Sequence, residues 1–124
     1  MAERKTRGIA SFRSAEDLTG KEGRCVKLGA SGLEAVKATT DEPVGVVLDG
    51  GAEGEMTDVA LLGAFDGTLA FKAGGAIAAG KRLMMQADGA VDDTAAGLSV
   101  GIALEDAAED ELFEGAPRTP VTVA

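Results

Sequence analysis

The chain has 124 residues, a length that suits one domain with an ordinary apolar core. Hydrophobic residues make up 45% of it, yet four Phe are its only aromatic residues and it contains no His. The lack of His removes the commonest general base and metal ligand, and a single Cys excludes an internal disulfide or a cysteine metal cluster. We therefore expect a non-enzymatic protein with no catalytic residue, metal, cofactor or small-molecule substrate.

Charge is divided unevenly along the chain, whose formal net charge is −9. Residues 1–13 hold four basic residues and one acidic residue, a net charge of +3, whereas the remainder holds 8 basic and 20 acidic residues, a net charge of −12. Because the body is acidic, nucleic acid is not an expected partner. No apolar run approaches the ~20 residues of a membrane span and no signal-peptide stretch is visible, so we expect no membrane and synthesis in a cytoplasm.

The first predicted segment is an extended basic N-terminal arm, residues 1–18. One interpretation is a solvated, disordered terminus. The other is a segment that docks on a partner, because apolar residues lie among its polar ones. Residues 1–13 fall outside both repeat units, so we expect their deletion to leave a folded domain. The candidate binding residues of the arm are Arg4, Lys5, Arg7, Ile9, Phe12 and Arg13.

The rest of the chain, residues 19–124, is predicted to form a single β domain. Residues 15–18 suit a helical turn capped by Ser14, or a loop. In the first repeat unit, approximately 20–62, Val26 and Leu28 share one face of a predicted strand while Cys25 and Lys27 share the other. The unit then continues with a turn at 30–32, a return strand at 33–37, a strand at 44–48, a loop at 49–55 and a strand at 56–62.

The second repeat unit is predicted at approximately 76–124, after a strand at 68–72. It uses a turn at 87–89 and returns through Val91 to a central apolar strand at 98–104. Residues 105–113 combine acidic residues with alanines and suit a short helix or a loop. A final strand is predicted at 121–123.

The two units repeat one pattern of glycines and alternating apolar residues. Gly-Arg-Cys-Val-Lys-Leu at 23–28 recurs as Gly-Lys-Arg-Leu-Met-Met at 80–85, and Pro-Val-Gly-Val-Val-Leu at 43–48 recurs as Ser-Val-Gly-Ile-Ala-Leu at 99–104. Such a pattern specifies a backbone rather than a reaction. It predicts a mainly β, barrel-like or sandwich domain with an internal pseudo-repeat. The glycines assigned to structural turns are Gly23, Gly32, Gly45, Gly80, Gly89 and Gly101.

The remaining candidates for chemistry are weak. The glycines at 74, 75 and 80 do not have the spacing of a phosphate-binding loop. We therefore favour a turn in which the side chain of Ile77 fills the core. Cys25 beside basic neighbours suits an activated thiol, but a buried strand residue is favoured because no His partner exists. The acidic groups at 41–42, 92–93 and 109–111 do not match calcium-loop spacing, so a solvated surface is favoured.

Four segments, in their order along the chain, resemble the capsid cement, or head decoration, proteins of tailed bacteriophages. They are Val-Gly-Val-Val-Leu at 44–48, Val-Ala-Leu-Leu-Gly at 59–63, Phe-Lys-Ala-Gly-Gly-Ala-Ile-Ala-Ala-Gly at 71–80 and Val-Gly-Ile-Ala-Leu-Glu at 100–105. The resemblance covers roughly residues 19–124. It implies a β-tulip or barrel-like domain that assembles as a homotrimer on the outer capsid surface of the virion and binds the phage major capsid protein.

A second hypothesis is a lipoyl- or biotinyl-type carrier domain, or another non-catalytic binding module. The segment from Phe71 to Leu83 resembles the strand-turn-strand that follows the swinging lysine of such carriers. The usual neighbours of that lysine, Met-Lys-Met or Asp-Lys-Ala, do not occur in the chain. The sequence therefore favours the cement protein.

Overall fold

The computed structural model describes residues 8–94 and 96–123, which form ten β-strands and, within those ranges, no helix. The prediction of a mainly β domain is confirmed. The segments for which a helix or a loop was considered, 15–18 and 105–113, contain no helix: 15–18 and 105–111 are irregular, and residues 112–113 begin the last strand. The strands are Ile9–Arg13 (β1), Cys25–Gly29 (β2), Gly32–Ala35 (β3), Gly45–Asp49 (β4), Met56–Leu61 (β5), Leu69–Lys72 (β6), Arg82–Met85 (β7), Val91–Asp92 (β8), Gly97–Ala103 (β9) and Leu112–Val123 (β10).

The strands form two five-stranded antiparallel sheets of identical topology. The first sheet has the order β1-β5-β4-β2-β3 and the second has the order β6-β10-β9-β7-β8. Each strand of the first sheet therefore has a counterpart five elements later in the chain. We call strands β1 to β5 the first unit and strands β6 to β10 the second unit. The pseudo-repeat thus begins earlier than the 20–62 and 76–124 boundaries, because the edge strands β1 and β6 belong to it.

Residues 9–18, assigned from sequence to a separate arm, are part of the β domain. β1 pairs with β5 from Ile9↔Ala60 to Arg13↔Met56, and Leu18 is fully buried. We therefore now expect deletion of residues 1–13 to destabilise the domain, because it removes an edge strand and uncovers the apolar interior behind it. The sequence pattern missed β1 because an edge strand is held by backbone hydrogen bonds, which leave little trace in side-chain alternation.

Each sheet curls so that its two edges approach each other, although neither closes into a continuous barrel. One parallel bridge, Ser14↔Leu33, links the edges of the first sheet, and Ala73↔Val91 does the same in the second. Curling gives each sheet an inner face, which encloses an apolar interior, and an outer face. The chain is thus two similar curled sheets in one small domain.

Apolar residues occupy both faces of the first sheet. Its inner face contributes residues such as Val47 and Val59 to a cluster made only of first-unit residues. Its outer face contributes Cys25, Val46 and Ala60 to a larger cluster that also fills the second unit. Neighbouring residues of one strand therefore serve different cores. The continuous apolar sequence of β4 is explained, because a strand buried on both faces has no polar alternation.

Two of the glycines assigned to turns lie inside central strands instead. Gly45 is in β4 and Gly101 is in β9, and a Cβ at either position would stand 2.5 Å from a carbonyl oxygen of the neighbouring strand, that of Ala60 or Ala116. Close approach of two backbones, rather than a turn, requires glycine there. The other four glycines have positive φ angles: Gly23, Gly32, Gly80 and Gly89.

Candidate functional site

The open edge of the first sheet is formed by β1, which among the described residues pairs with β5 and meets the β3 side only at the Ser14↔Leu33 bridge. The N–H of Leu61 donates to the carbonyl of Gly8 at 2.8 Å, and this bond determines which residues of β1 are hydrogen-bonded to β5. In an antiparallel pair only alternate residues bond across the ladder. The backbone N–H and C=O groups of Ile9, Ser11 and Arg13 consequently point away from β5. Those of Ile9 and Ser11 face the open edge, whereas the carbonyl of Arg13 lies beside Gly32 at the bridge to β3.

The side chains of these alternate residues lie on the outer face of the sheet. Ile9 is 36% exposed and Arg13 is exposed, while Met56, directly opposite Arg13, is 57% exposed. Between them, the Ser11 hydroxyl donates to the carboxylate of Asp58. Apolar, cationic and hydrogen-bonding groups thus lie together beside an open strand edge. This combination can receive an extended segment of a partner.

Phe12, one of the predicted binding residues, has a different position. It lies on the inner face of β1, where it packs partly buried against the cluster that contains Leu18, Val26 and Leu33. Its side chain therefore fastens β1 to the body instead of projecting toward a partner. The sequence missed this because Phe12 differs from Ile9 only in strand phase, and the phase is set by pairing with β5.

The other predicted arm residues divide into two groups. Ile9 and Arg13 lie together on the outer face of β1, at opposite ends of the strand. Arg4, Lys5 and Arg7 lie outside the described residues.

Cys25 is a structural residue in this fold. It is 1% exposed and lies in the outer-face row of the first sheet. Burial raises the pKa of its thiol to about 12. The thiol therefore stays protonated at neutral pH, which excludes the activated nucleophile considered from the sequence.

Asp41, another weak candidate, caps a turn. It accepts hydrogen bonds from the backbone N–H groups of Lys37 and Ala38, at 2.9 and 3.1 Å, and pairs with the Lys27 ammonium at 3.1 Å. The N–H of Lys37, followed by the Lys27 ammonium, holds the pKa of this carboxyl below its ordinary value. Within residues 8–94 and 96–123, no three His, Cys, Asp or Glu side chains come together to hold a metal ion.

The glycine-rich segment at 74–80 is a turn whose backbone is already bonded. The N–H of Ala78 donates to the carboxylate of Asp93, the N–H of Ala79 donates to the carboxylate of Asp106, and Ile77 is 4% exposed in the core. These carboxylates line a shallow depression of about 390 Å³ and would repel a phosphate group. The structure therefore supports a turn.

Lys72, which lies in the segment that resembles a carrier domain, is not at a hairpin tip. It ends strand β6, and its ammonium donates to the carbonyl of Asp110 at 2.7 Å. This position offers no projecting lysine for modification.

Among the described residues, no helix has the length and apolar character of a membrane span.

The fold and its open edge define a small β protein suited to contact with other proteins, and comparison with known families agrees. The family model for phage cement proteins matches residues 7–116, which extend from the start of β1 into β10. The chain belongs to the phage cement protein family. This confirms the resemblance found in the sequence and assigns the chain to the structural proteins of the virion.

A solved structure shares the fold. The chain is similar to the N base of the head fiber gp8.5 of bacteriophage phi29, with a TM-score of 0.66 and 20% sequence identity. The alignment covers 94% of this chain and 98% of that one, so it includes both units. No curated protein matches the chain.

Proposed function

We propose that this protein binds the outer surface of a phage capsid and stabilises the shell by bridging neighbouring subunits of the major capsid protein. The observation that carries the proposal is the cement-family match across residues 7–116, which spans the first unit and most of the second. Contacts repeated by capsid symmetry stabilise a lattice even when each is modest. A homotrimer, made in the host cytoplasm and placed at three-fold positions, suits this role.

The open edge of β1 is the proposed attachment site. An extended segment of the capsid protein can pair with the free backbone groups at Ile9 and Ser11, as an added strand. The side chain of Ile9 then fills an apolar pocket of the partner. Because Arg4, Lys5 and Arg7 precede this strand directly, they pair with acidic groups on the shell.

The acidic body faces away from the shell in this proposal. Residues 14–124 carry a net charge of −12, with 8 basic and 20 acidic side chains. A surface of one charge sign keeps densely decorated particles from adhering to one another. The uneven charge distribution therefore separates an attachment end from a solvent-facing end.

Co-sedimentation of the purified protein with undecorated heads tests this attachment site. Neutralising Arg4, Lys5 and Arg7 with Ala should weaken binding most at low salt, because exposed ion pairs are screened over about 8–10 Å at 0.1–0.15 M ionic strength. Replacing Ile9 with Ser should weaken binding at every salt concentration, by about 1.5–3 kcal/mol if the side chain becomes fully buried.

The matched control is Val121→Ser, because Val121 is 43% exposed and lies near the end of β10, in the other sheet. It should bind heads like the unmodified chain. Thermal unfolding of each variant verifies that β1 remains paired. If all variants bind equally well, β1 is not the attachment site.

A further inference from the structure

The contact between the two units uses different surfaces of two similar folds. The carbonyl of Gly23 accepts from the N–H of Lys72 at 2.9 Å, and the N–H of Cys25 donates to the carbonyl of Gly89 at 2.7 Å. Gly23 lies just before β2 of the first unit, and Cys25 is the first residue of that strand. Lys72 ends β6 and Gly89 lies in the β7–β8 turn of the second unit. An ion pair between Arg24 and Asp88, at 3.0 Å, joins the same segments.

An apolar row accompanies these hydrogen bonds. Cys25, Val46 and Ala60 stand side by side in register across the outer face of the first sheet, each 1% exposed or less. They belong to the cluster that fills the second unit and contains the fully buried Met85. We call the first-unit side of this contact the front surface and the second-unit side, at Lys72, Met85 and Gly89, the rear surface.

The second unit has its own front surface, and it is uncovered. The counterparts of Cys25, Val46 and Ala60 are Arg82, Ile102 and Ala116, which are in register in the same way. Arg82 is exposed, while Ile102 and Ala116 are half-buried. Gly80, the counterpart of the buried Gly23, is exposed, and Leu104, just beyond Ile102, is 49% exposed.

The first unit likewise has an uncovered rear surface. Leu28, the counterpart of the fully buried Met85, is 52% exposed. Ser31, which precedes Leu33 by two residues as Gly89 precedes the equivalent Val91, is exposed. Arg13, the counterpart of Lys72, directs its backbone N–H away from β5, as Lys72 directs its own toward Gly23.

We propose that the front surface of the second unit docks on the rear surface of the first unit of another copy of this chain, head to tail. The uncovered surfaces are the counterparts of two surfaces that already fit each other within one chain, so the same contact can continue between chains. In it the carbonyl of Gly80 accepts from the N–H of Arg13, and the N–H of Arg82 donates to a carbonyl of the β2–β3 turn at Ser31. Ile102 and Leu28 become buried.

Such a contact is heterologous, so its repetition closes into a ring or extends as a filament according to the rotation between units. It uses only the Arg13 end of β1 and leaves Ile9 and the preceding basic residues for the capsid. The inference rests on the proposed function in one respect only: it assumes that several copies of the chain meet on one phage head. Its test needs no head, so its failure is distinguishable from failure of capsid attachment.

Sedimentation velocity of the isolated chain tests the proposal with two surface variants. Ile102→Glu places a charge on the front surface and Leu28→Glu places one on the rear surface. Each should weaken self-association by roughly 100-fold or more, because an unpaired charge is costly to bury. An equimolar mixture of the two variants should recover dimers, since each supplies the surface that the other lacks. Val121→Glu, the control, should assemble like the unmodified chain.

Three results would overturn the proposal. They are an unmodified chain that stays monomeric up to about 1 mM, variants that assemble like the unmodified chain, and a mixture that remains monomeric. Circular dichroism verifies that each variant is folded. Arg82→Glu, at an exposed position of the same front surface, replaces Ile102→Glu if that variant unfolds.

Discussion

The first and second units share one backbone but fill their interiors differently. At the same cross-strand position the first unit pairs Phe12 with Thr57, whereas the second pairs Phe71 with Phe113. Thr57 is fully buried and its hydroxyl bonds that of Ser14 at 2.7 Å. In the second unit the two rings lie 6.2 Å apart. A polar pair and an aromatic pair thus occupy equivalent places.

The difference shows which features a curled five-stranded sheet requires. Strand order, the edge-to-edge bridge and the strand glycines Gly45 and Gly101 occur in both units. They depend on backbone hydrogen bonds and on close backbone approach, for which few residue types are suitable. The interior tolerates either solution, because volume can be filled by rings or by smaller groups whose hydrogen bonds are satisfied.

Removing an aromatic ring should expose the largest difference between the units. Phe71 is 0% exposed, so Phe71→Ala should lower the free energy of unfolding by about 3–5 kcal/mol. Phe12→Ala, the matched change in the first unit, should cost less, about 1–2 kcal/mol, because Phe12 is only partly buried. Urea unfolding measures both. Equal losses would show that the first unit depends on its ring as strongly as the second.

The strand glycines should make the units behave alike. Gly45→Ala and Gly101→Ala each place a Cβ 2.5 Å from a backbone oxygen, so each should cost about 1–3 kcal/mol in unfolding free energy. Gly75→Ala is the control, because its nearest neighbour would be 3.8 Å away, and it should stay within about 0.5 kcal/mol. If alanine lowers the unfolding free energy at only one of these two glycine positions, the backbones of the two units differ there.

The buried polar pair should matter only in the first unit. Thr57→Val removes the acceptor of the Gly51 N–H, at 2.9 Å, and the partner of Ser14, so we expect a loss of about 1–2 kcal/mol. A double-mutant cycle with Ser14→Ala should show a coupling of roughly 0.5 kcal/mol or more. Strict additivity in urea unfolding would indicate that the two hydroxyls do not interact.

The smallest expected effect concerns ionic contacts of the first unit. Lys27 pairs with Asp41 there, whereas its counterpart in the second unit is the buried Met84. The pKa of Asp41 is lowered from 3.8, so its ionised form stabilises the folded state above that value, and this stabilisation disappears as the pH falls through the folded pKa. Asp41→Asn should therefore lower the thermal unfolding temperature at neutral pH and have little effect in acid. Glu42→Gln, at the exposed neighbouring residue, is the control. If the unfolding temperature of Asp41→Asn stays equally far below that of the unmodified chain at low pH, the stabilisation does not come from the ionised Asp41 carboxylate.

Prediction from sequence succeeded where the signal is local. The central strands predicted at 44–48 and 98–104 correspond to β4 and β9, within about one residue at each end. It failed for β10, of which only 121–123 was predicted although the strand is Leu112–Val123. Acidic residues and alanines favour a helix locally, but pairing with both β6 and β9 overrides that preference.

By itself the sequence determined the β class, the duplicated pattern and most strand positions, because alternation and glycine placement are local consequences of backbone geometry. Only the tertiary structure decided that residues 9–13 form an edge strand, that Phe12 faces inward while Ile9 faces outward, and that one outer row is covered while its counterpart is open. These outcomes depend on which distant segments meet. Cys25 and Arg82 occupy equivalent strand positions, yet only Cys25 lies against the other unit, and no local pattern contains that information.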